Sequence, residues 1–357
     1  VHSERYYLAT VADGKLTALP LTSTVFTADI KVNYPHLTQL QPYQAMIKAD
    51  DAKQWLKQAE SVFAMDQNQQ LTWASTLQTA SLLDDLYTKG SDDANEVTDL
   101  GASVLRDQQT VSFKVWAPTA QQVTLLLFNA DKSPLQPASV VMQEDSTTGI
   151  WQFTGDISLD QAYYQYQVTV LHPGSQQFET FITTDPYSLS LSVNSQYSQV
   201  VDLDHAMTQP EGWINHRVPE LLQPEDNILY EMHIRDFSAF DANLSESHFR
   251  GKYKAFSEQQ SAGIKHLKKL RASGLNTLHL LPAFDIATIN ERTDEVIDLN
   301  DDLAKVCRIA PQTSICSTKY QPQISLQKLL SSYVASSAEA QWLVSELRGL
   351  DNYNWGY

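Results

Sequence analysis

The chain has 357 residues, a formal net charge of -17 at pH 7, 42% hydrophobic residues and two cysteines, an ordinary globular composition with room for two or three domains. The negative charge argues against nucleic acid and against an anionic membrane surface, and it suits a neutral polyhydroxylated ligand as well as simple solubility. No apolar run reaches the roughly eighteen residues that a membrane-spanning helix needs.

The sequence opens at Val1 with neither methionine nor a signal-like stretch, which reads as removal of whatever preceded it. In residues 1–98, Tyr6-Tyr7-Leu8 and Val25-Phe26-Thr27 read as strands. Between Asp50 and Asp66, Trp55, Leu56, Ala59, Val62 and Phe63 recur at helical spacing. Leu82, Leu83, Leu86 and Tyr87 mark a second, short helix stopped by Gly90. The acidic stretch from Ser91 to Glu96 then reads as a linker.

Residues 99–205 change character. Val111–Trp116, Val123–Phe128, Ile150–Phe153 and Tyr163–Leu171 are short strands at regular spacing between turn-rich pieces, the mark of a β-sandwich. Trp116, Trp151 and Tyr163 to Tyr166 offer two readings. Their faces could stack on sugar rings, or they could fill the sandwich core or its interface with the next domain, and this packing role is preferred. Residues 206–226, with Pro210, Gly212, Pro219 and Pro224, form a linker.

From Asn227 the pattern is strand, loop, helix, strand. Ile228, Tyr230, Met232 and Ile234 share one face of the first strand, and Glu231, His233 and Arg235 share the other. Ser261 to Gly274 is a helix with Ile264, Leu267 and Leu270 on one stripe and Gly274 at its C-cap. Leu275 to Asp285 is nearly apolar, as a parallel strand covered on both sides should be. A βαβ unit follows, with a right-handed crossover. Alternate charges are costly in a sandwich core unless paired, whereas in a (β/α)8 barrel they can satisfy one another across strands. Glu231, His233 and Arg235 are therefore read as a structural ion-pair layer in preference to catalytic groups. A metal site on Glu231 and His233 lacks a third ligand at a telling spacing.

Residues 286–350 are a long insertion with two helices. Ser336 and Glu339 read as a capping box ahead of Trp342, Leu343 and Leu347, and Gly349 closes that helix. An insertion of this size after a strand's carboxyl end usually serves a binding site. Cys307 and Cys316 form either a local disulfide, with an oxidising compartment implied, or a reduced cytosolic pair; the disulfide is preferred.

These residues carry a family resemblance. Phe113-Lys-Val-Trp-Ala-Pro-Thr-Ala120 resembles the opening of the starch-associated β-sandwich module that precedes amylolytic barrels. Tyr230 to Ser238 and Leu280-Leu-Pro-Ala-Phe-Asp285 are similar to the first two barrel strands of bacterial pullulanases, with Arg250-Gly-Lys-Tyr253 in the loop between them. Tyr353-Asn-Trp-Gly-Tyr357 resembles the signature that follows the second strand. The resemblance covers residues 100–357, and residues 1–98 are more loosely similar to the extra β-rich domain of that family.

The resemblance implies a multidomain chain: a β-rich N-terminal domain (1–98), a β-sandwich module (99–205), a linker (206–226), and the start of a (β/α)8 barrel (227–357) with its insertion. It implies retaining hydrolysis of α-1,6-glucosidic bonds in pullulan, starch or limit dextrins by a bacterial enzyme that is secreted or held at the cell surface or in the periplasm, with no required cofactor. Calcium is often found in the family, but no Asp-rich calcium loop is legible here. The family's catalytic carboxylates stand on later strands, so none of Glu231, Asp236, Asp241 or Asp285 is assigned a catalytic role, and these residues are expected to be one piece of a longer enzyme. By resemblance, Tyr357 stacks on the glucose beside the cleaved bond, Trp355 and Asn354 shape its loop, and Phe284 and Asp285 lie where barrel sites form. The rivals are a non-catalytic α-glucan-binding protein and, within the superfamily, an isoamylase or branching enzyme.

Overall fold

The computed structural model describes residues 4–12, 15–172, 174–281, 283, 289–317 and 319–350. The chain divides into two compact units, Val1–Ser192 with Gln196–Gln209, and Val193–Ser195 with Pro210–Tyr357.

The first unit opens with β1 (Arg5–Ala12), β2 (Lys15–Pro20) and β3 (Thr22–Ser23), then α1 (Ala28–Asn33), β4 (Tyr43–Gln44) and α2 (Ala49–Trp55). It continues through β5 (Ala59–Met65), β6 (Leu71–Thr76) and α3 (Ala80–Tyr87). An antiparallel sheet runs β2-β1-β5-β6. The helix expected over 50–66 is half wrong. It stops at Trp55, the chain turns with Gln58 N–H donating to the Trp55 carbonyl at 2.8 Å, and Val62 and Phe63 enter a strand. Phe63 then pairs with Tyr7, ring on ring at 5.1 Å. Aromatic and β-branched residues gain more from that cross-strand packing than a helix could offer them. Val25 to Thr27 is likewise no strand; Thr27 caps α1 by accepting the Ile30 N–H. The acidic 91–96 stretch is ordered, with Asp93 buried as the cap of a single helical turn and Glu96 bonding back to its N–H at 3.0 Å.

The sandwich packs two antiparallel sheets. One runs β10 (Pro134–Val141), β9 (Gln122–Phe128), β13 (Tyr163–His172), β14 (Gln177–Thr183), with β15 (Ser198–Gln199) also on β13. The other runs β11 (Gln143–Asp145), β12 (Ile150–Asp156), β8 (Thr110–Trp116), β7 (Gly101–Leu105). Alternation on β8 and β9 turns Val111, Phe113, Val115 and Val123, Leu125, Leu127 into one core with Trp151, Tyr164 and Tyr166. The N-terminal part is fastened to this sandwich. Lys57, 7% exposed, pairs with Glu144 at 2.5 Å, and the Gln121 amide donates to the Lys57 carbonyl at 2.6 Å. Lys53 reaches the carbonyls of Ser146 and Thr147. Burial, with Glu144 nearby, pushes the Tyr87 hydroxyl up to about 12.

In the second unit, β16 (Leu229–His233) and β17 (Thr277–Leu281) pair in parallel, Leu229 beside Thr277 and His233 beside Leu281. The first strand is shorter than its alternation suggests. After His233 the chain coils into α4 (Ile234–Ser238), so Arg235 leaves the strand face. Helix α5 (Ala262–Ala272) joins the strands. Ser261 caps it, and buried Asp241 accepts from the Ala262 N–H at 2.6 Å. Gly263 lets it lie against Phe237, which stacks on Phe256 at 4.2 Å; a Cβ there would sit 2.5 Å from the Phe237 ring. Gly274 ends the helix at φ +114. On the second strand Leu278 is 39% exposed, and on the first Leu229 is 56% exposed, so the described residues leave part of the pair uncovered.

The 286–350 insertion has its own core. Helices α6 (Leu303–Ile309), α7 (Leu326–Ser331) and α8 (Ala338–Leu347) bury Leu303, Val306, Leu326, Leu329, Leu343 and Leu347 together with Ile297 and Ile315. That is one helix more than expected. The cap of α8 is Ser337 instead of Ser336, its side chain accepting the Ala340 N–H at 3.2 Å. Cys307 and Cys316 are joined by a disulfide, Cα atoms 5.5 Å apart and 9 residues apart in sequence. A core this small benefits from a cross-link that restricts its unfolded chain. Replacing both cysteines by serine is expected to lower the stability of this helical segment by about 2–3 kcal/mol, read as a lower denaturant midpoint for Trp342 emission, while the sandwich transition stays in place.

Candidate functional site

The carboxyl edge of the parallel pair is the first candidate. Beyond β16 the chain runs through α4 and a loop that folds back on it. The buried Ser238 hydroxyl accepts the Gly251 N–H at 2.9 Å, and Arg250 Nε donates to the Asp241 carbonyl at 3.2 Å. Tyr253 then reaches across to donate its hydroxyl to the Ala283 carbonyl at 3.2 Å, just past β17. The Arg250–Tyr253 motif thus ties the loop after the first strand to the loop after the second. Phe284, Asp285, Trp355 and Tyr357 lie outside the described residues, as does Asn354. Asp241 serves as a helix anchor: burial raises its pKa, but N–H donors from Asn243, Ala262 and Gly263 outweigh burial and hold it below the usual carboxylate range.

The expected ion-pair layer takes a different form. Glu231 pairs with His279 on the neighbouring strand at 3.1 Å, and both side chains are more than half exposed. An exposed pair of this kind contributes little to stability. His233 instead accepts the Arg235 N–H through Nδ1 at 3.2 Å and starts α4. His279 went unnoticed in the sequence because its partner lies on another strand.

The sandwich holds a second polar constellation. Trp151 is buried and donates to the Ala117 carbonyl at 3.0 Å; Trp116 donates to the Thr148 carbonyl at 2.9 Å. Tyr164 and Tyr166 are buried and send both hydroxyls to Asp185 Oδ2, at 2.8 and 3.2 Å. The core reading therefore holds for Trp151, Tyr164 and Tyr166. Tyr163 stays at the surface with Lys132 Nζ over its ring. Asp185, 4% exposed, also accepts the Tyr187 N–H at 2.8 Å, and its own N–H donates to Ser198. Burial is the largest influence on this carboxyl and pushes its pKa up, against the donors that pull it down. Burial and the neighbouring carboxylate push Tyr164 and Tyr166 far above the usual phenol range. These hydroxyls stay protonated, so they act as donors and as neutral structure.

The chain thus joins an antiparallel sandwich, a parallel strand-helix-strand unit and a disulfide-linked helical insertion. Residues 99–188 match carbohydrate-binding module 48 (isoamylase N-terminal domain), residues 5–85 the pullulanase N2 domain, and residues 286–353 the pullulanase Ins domain. The chain is 36% identical over 370 residues to a pullulanase of Klebsiella pneumoniae, covering 100% of this chain and 33% of that protein. It is 31% identical over 334 residues to chloroplastic pullulanase 1 of Arabidopsis thaliana, covering 92% of this chain and 30% of the relative. A crystal structure of a maltotriose complex of PulA from Klebsiella pneumoniae superposes with TM-score 0.84 at 33% identity, covering 99% of this chain and 39% of that one. The chain belongs to the pullulanase family, whose N-terminal domains it carries, and it spans about a third of the length of these curated relatives.

The raised pKa of Asp185 predicts that the stability of the sandwich depends on pH. The folded pKa of this carboxyl lies above the ordinary 3.8, so the folded state keeps the proton over a wider range than the unfolded chain does. The stability contributed is full below 3.8 and is lost as pH rises through the raised value. Denaturant midpoints measured from about pH 3.5 to 7 are expected to fall, with rising pH, in the unmodified chain relative to Asp185→Asn. A difference that stays constant with pH would show that the carboxyl titrates normally.

Proposed function

We propose that the chain is the N-terminal portion of a starch- and pullulan-debranching glycoside hydrolase that cleaves α-1,6-glucosidic bonds with retention. Its own part is to bind α-glucan and to begin a (β/α)8 barrel. The parallel register of β16 on β17, with Tyr253 linking the two loops at the carboxyl edge, carries this reading. Barrel active sites are built from such loops. The relatives are named pullulanases and one solved relative holds maltotriose, which supports an α-glucan as substrate. The division proposed is 1–98, 99–205, 206–226 and 227–357.

Retaining cleavage needs a protonated carboxyl and an ionised one close enough for a covalent glycosyl intermediate. The carboxylates beside the parallel pair are already engaged. Glu231 is paired to His279 and Asp241 caps a helix. The catalytic acids are therefore assigned to residues C-terminal to Tyr357, and Tyr357, Trp355, Phe284 and Asp285 to glucose contacts at the barrel mouth. Among the described residues no group of three or more His, Cys, Asp or Glu side chains gathers. No helix among them is long and apolar enough to cross a membrane, and the disulfide supports an oxidising compartment and secretion.

Purified as these 357 residues, the protein is expected to be retarded in native gels containing pullulan or starch and to release no maltotriose from pullulan. Release of maltotriose would overturn the assignment of the catalytic acids. Absence of any retardation would remove the α-glucan-binding role.

A further inference from the structure

Between β7 and the segment joining β14 to β15 the sandwich leaves a cleft of about 330 Å³, lined by Thr98, Asp99, Ser103, Tyr164, Tyr187 and Gln199. That volume is where small-molecule sites begin. The walls are fixed in place. Gly101, at φ +96, lets β7 approach Tyr187 so closely that a Cβ would stand 3.2 Å from the Tyr187 carbonyl oxygen. Buried Asp185 holds the Tyr187 N–H and the Tyr164 hydroxyl from below. Lys114 Nζ clamps both oxygens of Asp99, at 2.8 and 2.7 Å. Gln199 accepts from the Ser190 hydroxyl at 3.0 Å and donates to the Gln161 carbonyl at 3.3 Å. A side-chain amide has two donors and two acceptor positions, so one of each is left over. The hydroxyls of Thr98, Ser103 and Tyr187 have no hydrogen-bond partner among the described residues.

A second hollow of about 170 Å³ lies on the other side of Gln199, and Gln199 and Val201 line both. There Arg106 bridges Asp160 at 2.9 Å and Asp202 at 2.5 Å, one cation between two carboxylates. The 330 Å³ cleft, with Tyr187 in its wall, is the larger groove.

We propose that this groove is an α-glucan subsite of the sandwich, seating a short glucan arm with a glucosyl ring against Tyr187 and its hydroxyls on Asp99, Ser103 and Gln199. A neutral ligand follows from the electrostatics of this cleft, because Asp99, the carboxylate in its lining, is already held by Lys114. An apolar ligand would leave the oriented amide and three hydroxyls without partners, at a cost in each case. A polyol with alternating donors and acceptors satisfies them, and the half-buried Tyr187 ring supplies an apolar surface for the sugar face. The proposal rests on the reading that this chain binds α-glucan, and it adds where.

Isothermal titration of the 357-residue chain with maltotriose tests it, using three cleft variants (Gln199→Ala, Asp99→Asn, Leu189→Trp) and one outer-face variant. Leu189 is 65% exposed at the cleft rim, so Leu189→Trp narrows the entrance without disturbing the core. Gln167→Ala with Ile182→Ala alters the outward face of β13 and β14, where these two residues stand opposite each other. The cleft variants are expected to weaken maltotriose at least tenfold with unchanged thermal unfolding, and the outer-face variant to bind as before. Loss in the outer-face variant with retention in the cleft variants would overturn the site while leaving α-glucan binding intact. No heat of binding in the unmodified chain would overturn both.

Discussion

A parallel pair of strands leaves an edge on each side without hydrogen-bond partners, and that constraint governs the second unit. Leu229–His233 and Thr277–Leu281 satisfy one another in parallel register. Each still has an outer edge, and their apolar residues Leu229 and Leu278 are exposed. Parallel sheets are found almost only where both faces are covered, and a two-stranded sheet is marginal by itself. The described residues meet the local demands of the pair, with Asp241 and Ser261 capping the connecting helix and Gly263 seating it on Phe237. They leave part of it uncovered. The proposed barrel is an arrangement that would relieve this.

The first unit is built around a buried core, while Leu71 and Trp73 of its N-terminal sheet stay 63% and 50% exposed. Its sandwich buries one continuous core, and its one deeply buried carboxylate with a raised pKa, Asp185, is met by two tyrosine hydroxyls and a backbone N–H. Such a network is worth having only when fully satisfied. Satisfied, it fixes the turn that carries Tyr187 and the short strand that carries Gln199, the two sides of the proposed groove. The Lys57–Glu144 pair plays the matching role at the other side, where removing either partner would strand a nearly buried charge.

Much of the fold was legible because the strands of the sandwich alternate cleanly: Val111, Phe113 and Val115 inward, with Lys114 and Trp116 less buried. The misses share a cause. Trp55, Leu56, Ala59, Val62 and Phe63 fit a helical stripe, and only Tyr7, fifty-odd residues away, decides that Phe63 belongs to a strand. Nothing in Glu231-Met-His-Ile-Arg235 announces that the strand stops at His233; alternation persists in the letters after the backbone has coiled. The α8 cap moved by one serine because Ser336 and Ser337 present the same chemistry. For the site, the motif residues that read clearly, Arg250 to Tyr253, do sit at the carboxyl edge. The groove was invisible, since Asp99, Tyr187 and Gln199 come together only through the pairing of distant strands.

Hydrogen exchange followed residue by residue bears on the whole scheme most directly. In the 357-residue chain, amides of 229–233 and 277–281 should exchange far faster than those of 111–115 and 123–127, because the parallel pair lacks the neighbours that a finished barrel would provide. Equal protection in the two sets would mean that the pair is stable as it stands, and the proposal of an unfinished barrel would have to be abandoned.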